Sequence, residues 1–329
     1  MEGGRGREVC AIRKTVDSPR KVIFDTDPSP DDAVAFLAAL ASPEELEVLA
    51  ITTVAGNVPV ELTAKNARKA LELAKRTDVP VYAGAAAPLV RTLVTAEHVH
   101  GRTGFDGYDL PEPQTPLHPG FAPDVIVELV MSRPPNAVTL CCTAPLTNAA
   151  QALAQEPRLA GHLADIVLMG GALSEGGNIT PAAEFNFYVD PEAAAQVFAS
   201  GAEITMIPLD CTHQALITDA RLEMLRTAGT PVGTAFYHLL EWNKRFDRAK
   251  YGWPGGPLHD PTVTAYLLSP ELFTGRTVRV DIECLSPLTA GASVIDWWSV
   301  TGKAANAQVL RTIDAEGYFQ LIFGRLLRL

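Results

Sequence analysis

The chain is poor in cysteine. Cys10, Cys141, Cys142, Cys211 and Cys284 are the only five in 329 residues, an odd number with no Cys-x-x-Cys spacing. They offer no disulfide or zinc framework and read as reduced core residues, which implies a reducing compartment. Cations are also outnumbered: 27 Lys and Arg stand against 38 Asp and Glu, a formal charge of -11. Phosphate binding needs clustered cations, so no nucleic-acid partner is expected. The acidity suits a cation site, but a solvated acidic surface gives the same number. No apolar run approaches the roughly 20 residues that span a membrane, so no membrane partner is expected. The first twenty residues lack the apolar stretch of a secretory signal and read as a mobile leader, and the expected location is the cytoplasm. Repeats, low-complexity tracts and an internal linker are missing too, which leaves residues 21–329 as one domain.

What is present is an alternation of short β-rich runs and helical stretches. Lys21 to Asp25, Leu46 to Val54, Val79 to Gly84, Ala137 to Cys142, Asp165 to Gly170 and Glu203 to Leu209 read as strands. Between them, helical patterns cover Asp31 to Ala41, Val60 to Arg76, Asp124 to Ser132, Leu146 to Ala154 and Pro191 to Ala199. The first is apolar almost all round and should be buried; the second is amphipathic. Repeated β-α-β order predicts an α/β fold, a mostly parallel, Rossmann-like central sheet flanked by helices, with its site at the C-terminal ends of the strands. Beyond it, Arg221 to Arg248 reads as mostly helical and Tyr251 to Pro257 as a Gly/Pro-rich loop. A helix starts near Asp260. Arg276 to Cys284 and Ser293 to Trp298 read as strands, in antiparallel order, and Asn306 to Leu329 as a closing helix.

The richest segment for chemistry is VIFDTDPSPDDAVAF. Asp25, Asp27, Asp31 and Asp32 fall within eight positions between a strand and a helix. Four like charges there repel and raise one another's pKa unless a cation compensates. Hard oxygen ligands at irregular spacing suit Ca²⁺ or Mg²⁺. Helix capping accounts for one or two such residues, hardly four. Other polar residues follow later strands: Asn57, Thr143, Met169 with Gly170 and Gly171, then Asn178, Glu184 and Asn186, and finally His259-Asp260. Each alone is a common turn or cap residue. Their shared position at the carboxyl side of the sheet makes them a set.

The stretches DTDPSPDDAVAF, ITTVAGN, VHGRTGFDG, TAPLTNAA, MGGA, GNITPAAEFNFYVDPEAA and PLHDPTVTAYLL closely resemble the inosine-uridine-preferring nucleoside hydrolase family. They run in family order from about Val22 to Leu268, and NAQVLRTIDAEGYFQLI is similar as well. The resemblance implies calcium-dependent hydrolysis of the N-glycosidic bond of ribonucleosides to ribose and free base. It implies that Asp27 binds Ca²⁺ and is the general base, that Asp32 and Asp260 are metal ligands, and that Thr143 gives the ion its backbone carbonyl. Asp31, Asn57, Asn178, Glu184 and Asn186 match ribose-binding positions, with Met169 packing nearby and Asp25 a supporting acid. His100 and His259 match base-side histidines, His259 as the group that protonates the departing base. Relatives are often homodimers or homotetramers, so a homo-oligomer is expected.

Two positions depart from the family pattern. Ser29 stands where Gly is usual, and Pro30 should push it into extended geometry, so that the loop runs differently. Ala290 stands where many relatives have Arg, which bears on a C-terminal contact. Two other readings are open at this level. One is a binding protein that keeps Ca²⁺ and ribose affinity without turnover. The other is a phosphatase of the haloacid-dehalogenase type, which also has Asp-x-Asp after a strand; the Gly-Thr expected next is replaced here by Pro28-Ser29-Pro30. Base preference is not fixed by these motifs. The aromatic segment Phe236 to Trp253 lies either over the base or in the core.

Overall fold

The structure is a computed structural model and describes residues 18–329. Most of the expected leader, and Cys10, lie outside the described residues. The strands are β1 (Arg20–Thr26), β2 (Leu46–Thr53), β3 (Val81–Ala83), β4 (Val138–Cys142), β5 (Asp165–Met169), β6 (Ile204–Ile207), β7 (Leu216–Ile217), β8 (Gly256–Pro257), β9 (Phe273–Ile282), β10 (Ser293–Asp296) and β11 (Ala307–Ile313). Nine of them form one sheet in the order β10-β9-β11-β6-β5-β4-β1-β2-β3. From β3 to β11 every pairing is parallel. β9 and β10 extend this sheet antiparallel, and β7 and β8 form a separate antiparallel pair.

Strand order reverses at β1. Asp25 faces Thr52 of β2 on one side and Cys142 of β4 on the other. In an open α/β sheet the loops diverge at such a point and leave a crevice beyond the strand ends.

Helices cover both faces, so the central strands are apolar on both sides rather than alternating with polar residues. Phe24 and Cys141 belong to one core, Ile23 and Cys142 to the other. The adjacent cysteines thus point to opposite faces, as a strand requires. The helix Pro30–Leu40 is buried along its whole length. It packs against the helices Pro261–Leu268 and Ala315–Leu326 as well as the sheet. The helix Val60–Leu73 buries Val60, Ala64, Ala67 and Leu71, the stripe its period predicts. Among the described residues no helix is long and apolar enough to cross a membrane.

One expectation needs correction. Asn306 to Leu329 is not one helix: Ala307–Ile313 is β11, held between β6 and β9, and the helix begins only at Ala315. Val309, Leu310 and Ile313 fit a strand as well as a helix, and pairing on both sides decides. Asp314 marks the switch, accepting the N–H of Glu316 (3.1 Å) and Gly317 (3.2 Å). Arg221 to Arg248 is mostly helical, as expected, and is divided between two helices, Asp219–Ala228 and Pro231–Tyr251. Gly229 ends the first in the left-handed region (φ 68°). Thr230 caps the second by accepting the Gly233 N–H at 3.0 Å.

Candidate active site

β1 delivers Asp25 and Thr26, Asp27 follows directly after it, and the next helix begins at Pro30. Ser29 is extended (φ −105°, ψ −178°), as Pro30 demands. In that conformation Ser29 N–H donates to Asp32 Oδ2 (3.0 Å). Its hydroxyl lies 2.6 Å from Asp31 Oδ1 and 3.1 Å from Asp32 Oδ2, so this residue orients both acids of the first helical turn. Thr26 Oγ1 donates to Asp32 Oδ1 at 2.6 Å, and the Thr143 hydroxyl reaches the same oxygen at 2.9 Å. Asp27 Oδ2 accepts the Asn57 N–H at 2.6 Å. That approach requires Gly56: a Cβ there would stand 2.0 Å from Asp27 Oδ2.

Asp260 comes from the opposite side, at the start of the helix Pro261–Leu268. One carboxylate oxygen from each of Asp31, Asp32 and Asp260 lies within 4.8 Å of the others. All three are buried, as is Asp27. Burial and then the negative charge of Asp32 raise the Asp27 carboxyl well above its usual range. Burial and then Asp31 do the same to Asp260. Asp32 is pushed up to about 6 by burial and by Asp31. Burial also raises Asp31, but His100, His259 and hydrogen bonds outweigh it, so this acid stays below the usual value. Asp27 Oδ1 and Asp25 Oδ2 are buried with no hydrogen-bond partner. A cluster of buried carboxylate oxygens, one of them unpartnered, could hold a hard metal ion. Asp25 sits behind it, its other oxygen held by Thr52 (2.7 Å) and Asn148 (2.8 Å).

Above the acids is a cavity with about 1000 Å³ of empty space, part of it open to solvent. Asp31, Asn57, Thr143, Met169, Asn178, Glu184, Asn186, His100, His259 and Asp260 all line it. Asp25, Asp27 and Asp32 are not among its lining residues. Asn186 Nδ2 donates to the carbonyls of Met169 (3.1 Å) and Thr143 (3.3 Å). Glu184 caps a short helix, its carboxylate accepting the N–H of Asn186 (2.8 Å), Phe187 (3.2 Å) and Gly171 (2.9 Å). Burial pushes Glu184 up to about 7 against those bonds. Asn178 Oδ1 accepts the Phe185 N–H at 2.9 Å.

The far wall carries residues that the sequence did not single out: His213, Asn243, Lys244 and Asp247. His213 follows β6 in LDCTHQ, and the rule that found Asn57 and Thr143 applies to it equally. Asn243, Lys244 and Asp247 lie mid-helix, where no strand end flags them. Of the aromatic segment, Phe246 and Tyr251 line the cavity. Trp253 stacks on Tyr251 at 4.7 Å and meets His213 edge-on at 4.9 Å. His238 instead stacks on Tyr108 and meets Tyr237 edge-on, and the Trp242 side chain packs at Gly107. Ala290 is buried in the turn between β9 and β10.

An acid cluster and a carboxamide-lined cavity at the switch point of a parallel sheet form a site for a small polar molecule, and its class follows from the proteins this chain resembles. The sequence model of the family described as inosine-uridine preferring nucleoside hydrolase matches residues 22–320. The chain is 48% identical to an uncharacterised protein of Schizosaccharomyces pombe, over 94% of this chain and 99% of that one. It is 44% identical to a pyrimidine-specific ribonucleoside hydrolase of Salmonella typhimurium, over 93% and 97%. Among solved structures it is similar to a plant nucleoside hydrolase, with a TM-score of 0.87, 34% identity, and 94% and 99% coverage. The chain belongs to the inosine-uridine preferring nucleoside hydrolase family. It is an N-ribosyl hydrolase, and its substrate is a small nucleoside.

Proposed function

We propose that this enzyme uses Ca²⁺ to hydrolyse pyrimidine ribonucleosides to ribose and free base. The observation that carries the reading is the convergence of Asp31, Asp32 and Asp260 oxygens within 4.8 Å beneath the cavity. The all-oxygen donor set and the unpartnered Asp27 Oδ1 fit a hard, flexible cation such as Ca²⁺. Asp32 and Asp260 of that cluster would hold it together with Asp27 and the Thr143 carbonyl, while Asp31, which also lines the cavity, would bind the sugar from the rim of the cluster. When bound, the ion supplies Lewis acidity that lowers the pKa of a water and anchors ribose hydroxyls.

The protein's own groups do the rest. Asp27 takes the proton of the attacking water. The water oxygen bonds to the anomeric carbon as the C–N bond breaks, and the electron pair leaves with the base. Positive charge develops on the sugar, as in other glycoside hydrolyses. Asp31 and Glu184, with the carboxamides of Asn57, Asn178 and Asn186, surround and stabilise it. Met169 packs against the ribose. His259 gives the departing base its proton, with His100 nearby on the base side. Asp25 supports the cluster from behind. Pyrimidine preference is carried by the Salmonella relative. The family resemblance supports a cytoplasmic homodimer or homotetramer. The test is a panel of uridine, cytidine, inosine and adenosine, followed by release of free base. The proposal predicts that uridine and cytidine are cleaved fastest. Release of phosphate from phosphate esters with no nucleoside turnover would replace it with the phosphatase reading.

A further inference from the structure

His259 Nδ1 lies 2.8 Å from Thr212 Oγ1. Thr212 ends the short helix Leu209–Thr212 after β6 and is fully buried. Among the described residues its hydroxyl has no other hydrogen-bond partner. The same residues make no hydrogen bond to His259 Nε2, and His259 lines the cavity.

We infer that Thr212 is a positioning residue: its hydroxyl donates to His259 Nδ1 and so fixes the neutral tautomer that carries its proton on Nε2. The argument is one of hydrogen-bond accounting. A hydroxyl has one proton, and a neutral imidazole has one donor and one acceptor nitrogen. If Nδ1 carried the proton, Thr212 would have to accept it. Its own proton would then be buried without an acceptor, which costs free energy. With Oγ1–H pointing at Nδ1, both groups are satisfied and Nε2–H is the only donor left. That donor can hydrogen-bond a departing base and offset the negative charge that builds on it. Fixing a tautomer through the other ring nitrogen is a general way to set up a histidine.

The catalytic consequence rests on reading His259 as the leaving-group acid, so the test has two arms. In the first, the calcium-loaded protein is labelled with ¹⁵N-histidine and the His259 signals are assigned by their loss in His259→Gln. The expected spectrum shows protonated Nε2 and unprotonated Nδ1. Thr212→Ser should keep that tautomer, and Thr212→Val, which removes the donor at nearly constant volume, should lose it. A protonated Nδ1 in the wild type, or an unchanged tautomer in a folded Thr212→Val, overturns the inference. In the second arm, Thr212→Val should lower kcat on uridine about tenfold or more, within the range for an impaired general acid. It should leave kcat on p-nitrophenyl riboside near wild type, and Thr212→Ser should restore uridine turnover. Equal loss on both substrates assigns Thr212 a merely structural role and overturns the inference. Full uridine turnover by His259→Gln removes the acid and with it this consequence, while the tautomer stands or falls on the spectra.

Discussion

The Thr143 hydroxyl lies 2.9 Å from Asp32 Oδ1, and this contact ties the end of β4 to the first helical turn after β1. It spans the switch point of the sheet. Groups that orient a ligating carboxylate typically contribute 10–100-fold to metal affinity. Thr143→Val removes the hydroxyl but keeps the backbone carbonyl. Calorimetric titration with Ca²⁺ should therefore show binding weakened about 10–100-fold, with the fold intact. Unchanged affinity would mean that Thr26 and Ser29 suffice to hold Asp32.

Asn148 has a different role, in stability. Its side chain donates to Asp25 Oδ1 (2.8 Å) and to the Thr53 carbonyl (3.0 Å). It also accepts the Ala85 N–H (2.9 Å). Burial pushes Asp25 up to about 6, against the pull of Asn148 and Thr52. Asn148→Ala strands the Ala85 N–H in the interior, while Asp25 Oδ1 keeps the Thr52 hydroxyl and the Thr53 carbonyl keeps the Gly84 N–H. The expected loss is about 1–3 kcal/mol, the cost of one stranded buried group. Urea unfolding measures it, and a loss under about 1 kcal/mol would show that water replaces the amide.

His259 and Asp260 are neighbours with different expected tasks. Burial and the adjacent His213 push His259 down to about 3, so its ring is neutral at pH 7 and serves the leaving base through a hydrogen bond from Nε2–H, not as an imidazolium. Hypoxanthine and uracil need a proton to leave; p-nitrophenolate does not. His259→Ala should therefore lose about 10²–10⁴-fold in kcat on nucleosides. It should keep most of its activity on p-nitrophenyl riboside with Ca²⁺ bound. Asp260→Ala should fail on both. Equal impairment of both substrates in folded, metal-loaded His259→Ala would transfer the acid's role to His100 or to water.

The sugar side predicts discrimination against deoxyribose. Asn178, Glu184 and Asn186 line the cavity, and a site built to bind a hydroxyl rejects analogues that lack it. Uridine should exceed 2′-deoxyuridine in kcat/KM by a large factor in steady-state assays. Equal values would place the ribose hydroxyls away from these three residues.

Much of this was legible because the fold and the site obey one rule. Strand runs such as KVIFD and AVTLCC are apolar and end in polar residues, so their carboxyl ends announced Asp27, Asn57 and Thr143 together. Ser29's extended geometry followed from Pro30 alone. β11 was hidden because AQVLRTI suits either structure, and only its partners β6 and β9 decide. Asn243, Lys244 and Asp247 were hidden because a helix face becomes a wall only when the fold turns it to the cavity. The link between Thr212 and His259 spans 47 residues in sequence, and no local pattern reports it.

The central claim is that the buried acids serve a bound Ca²⁺ on which ribonucleoside hydrolysis depends. Uridine turnover by the exhaustively chelated protein, measured before and after Ca²⁺ is restored, tests it most directly. The account predicts loss of activity on chelation, full recovery with Ca²⁺ in the wild type, and no recovery in Asp32→Ala. Full uridine turnover by the metal-free wild type would contradict it.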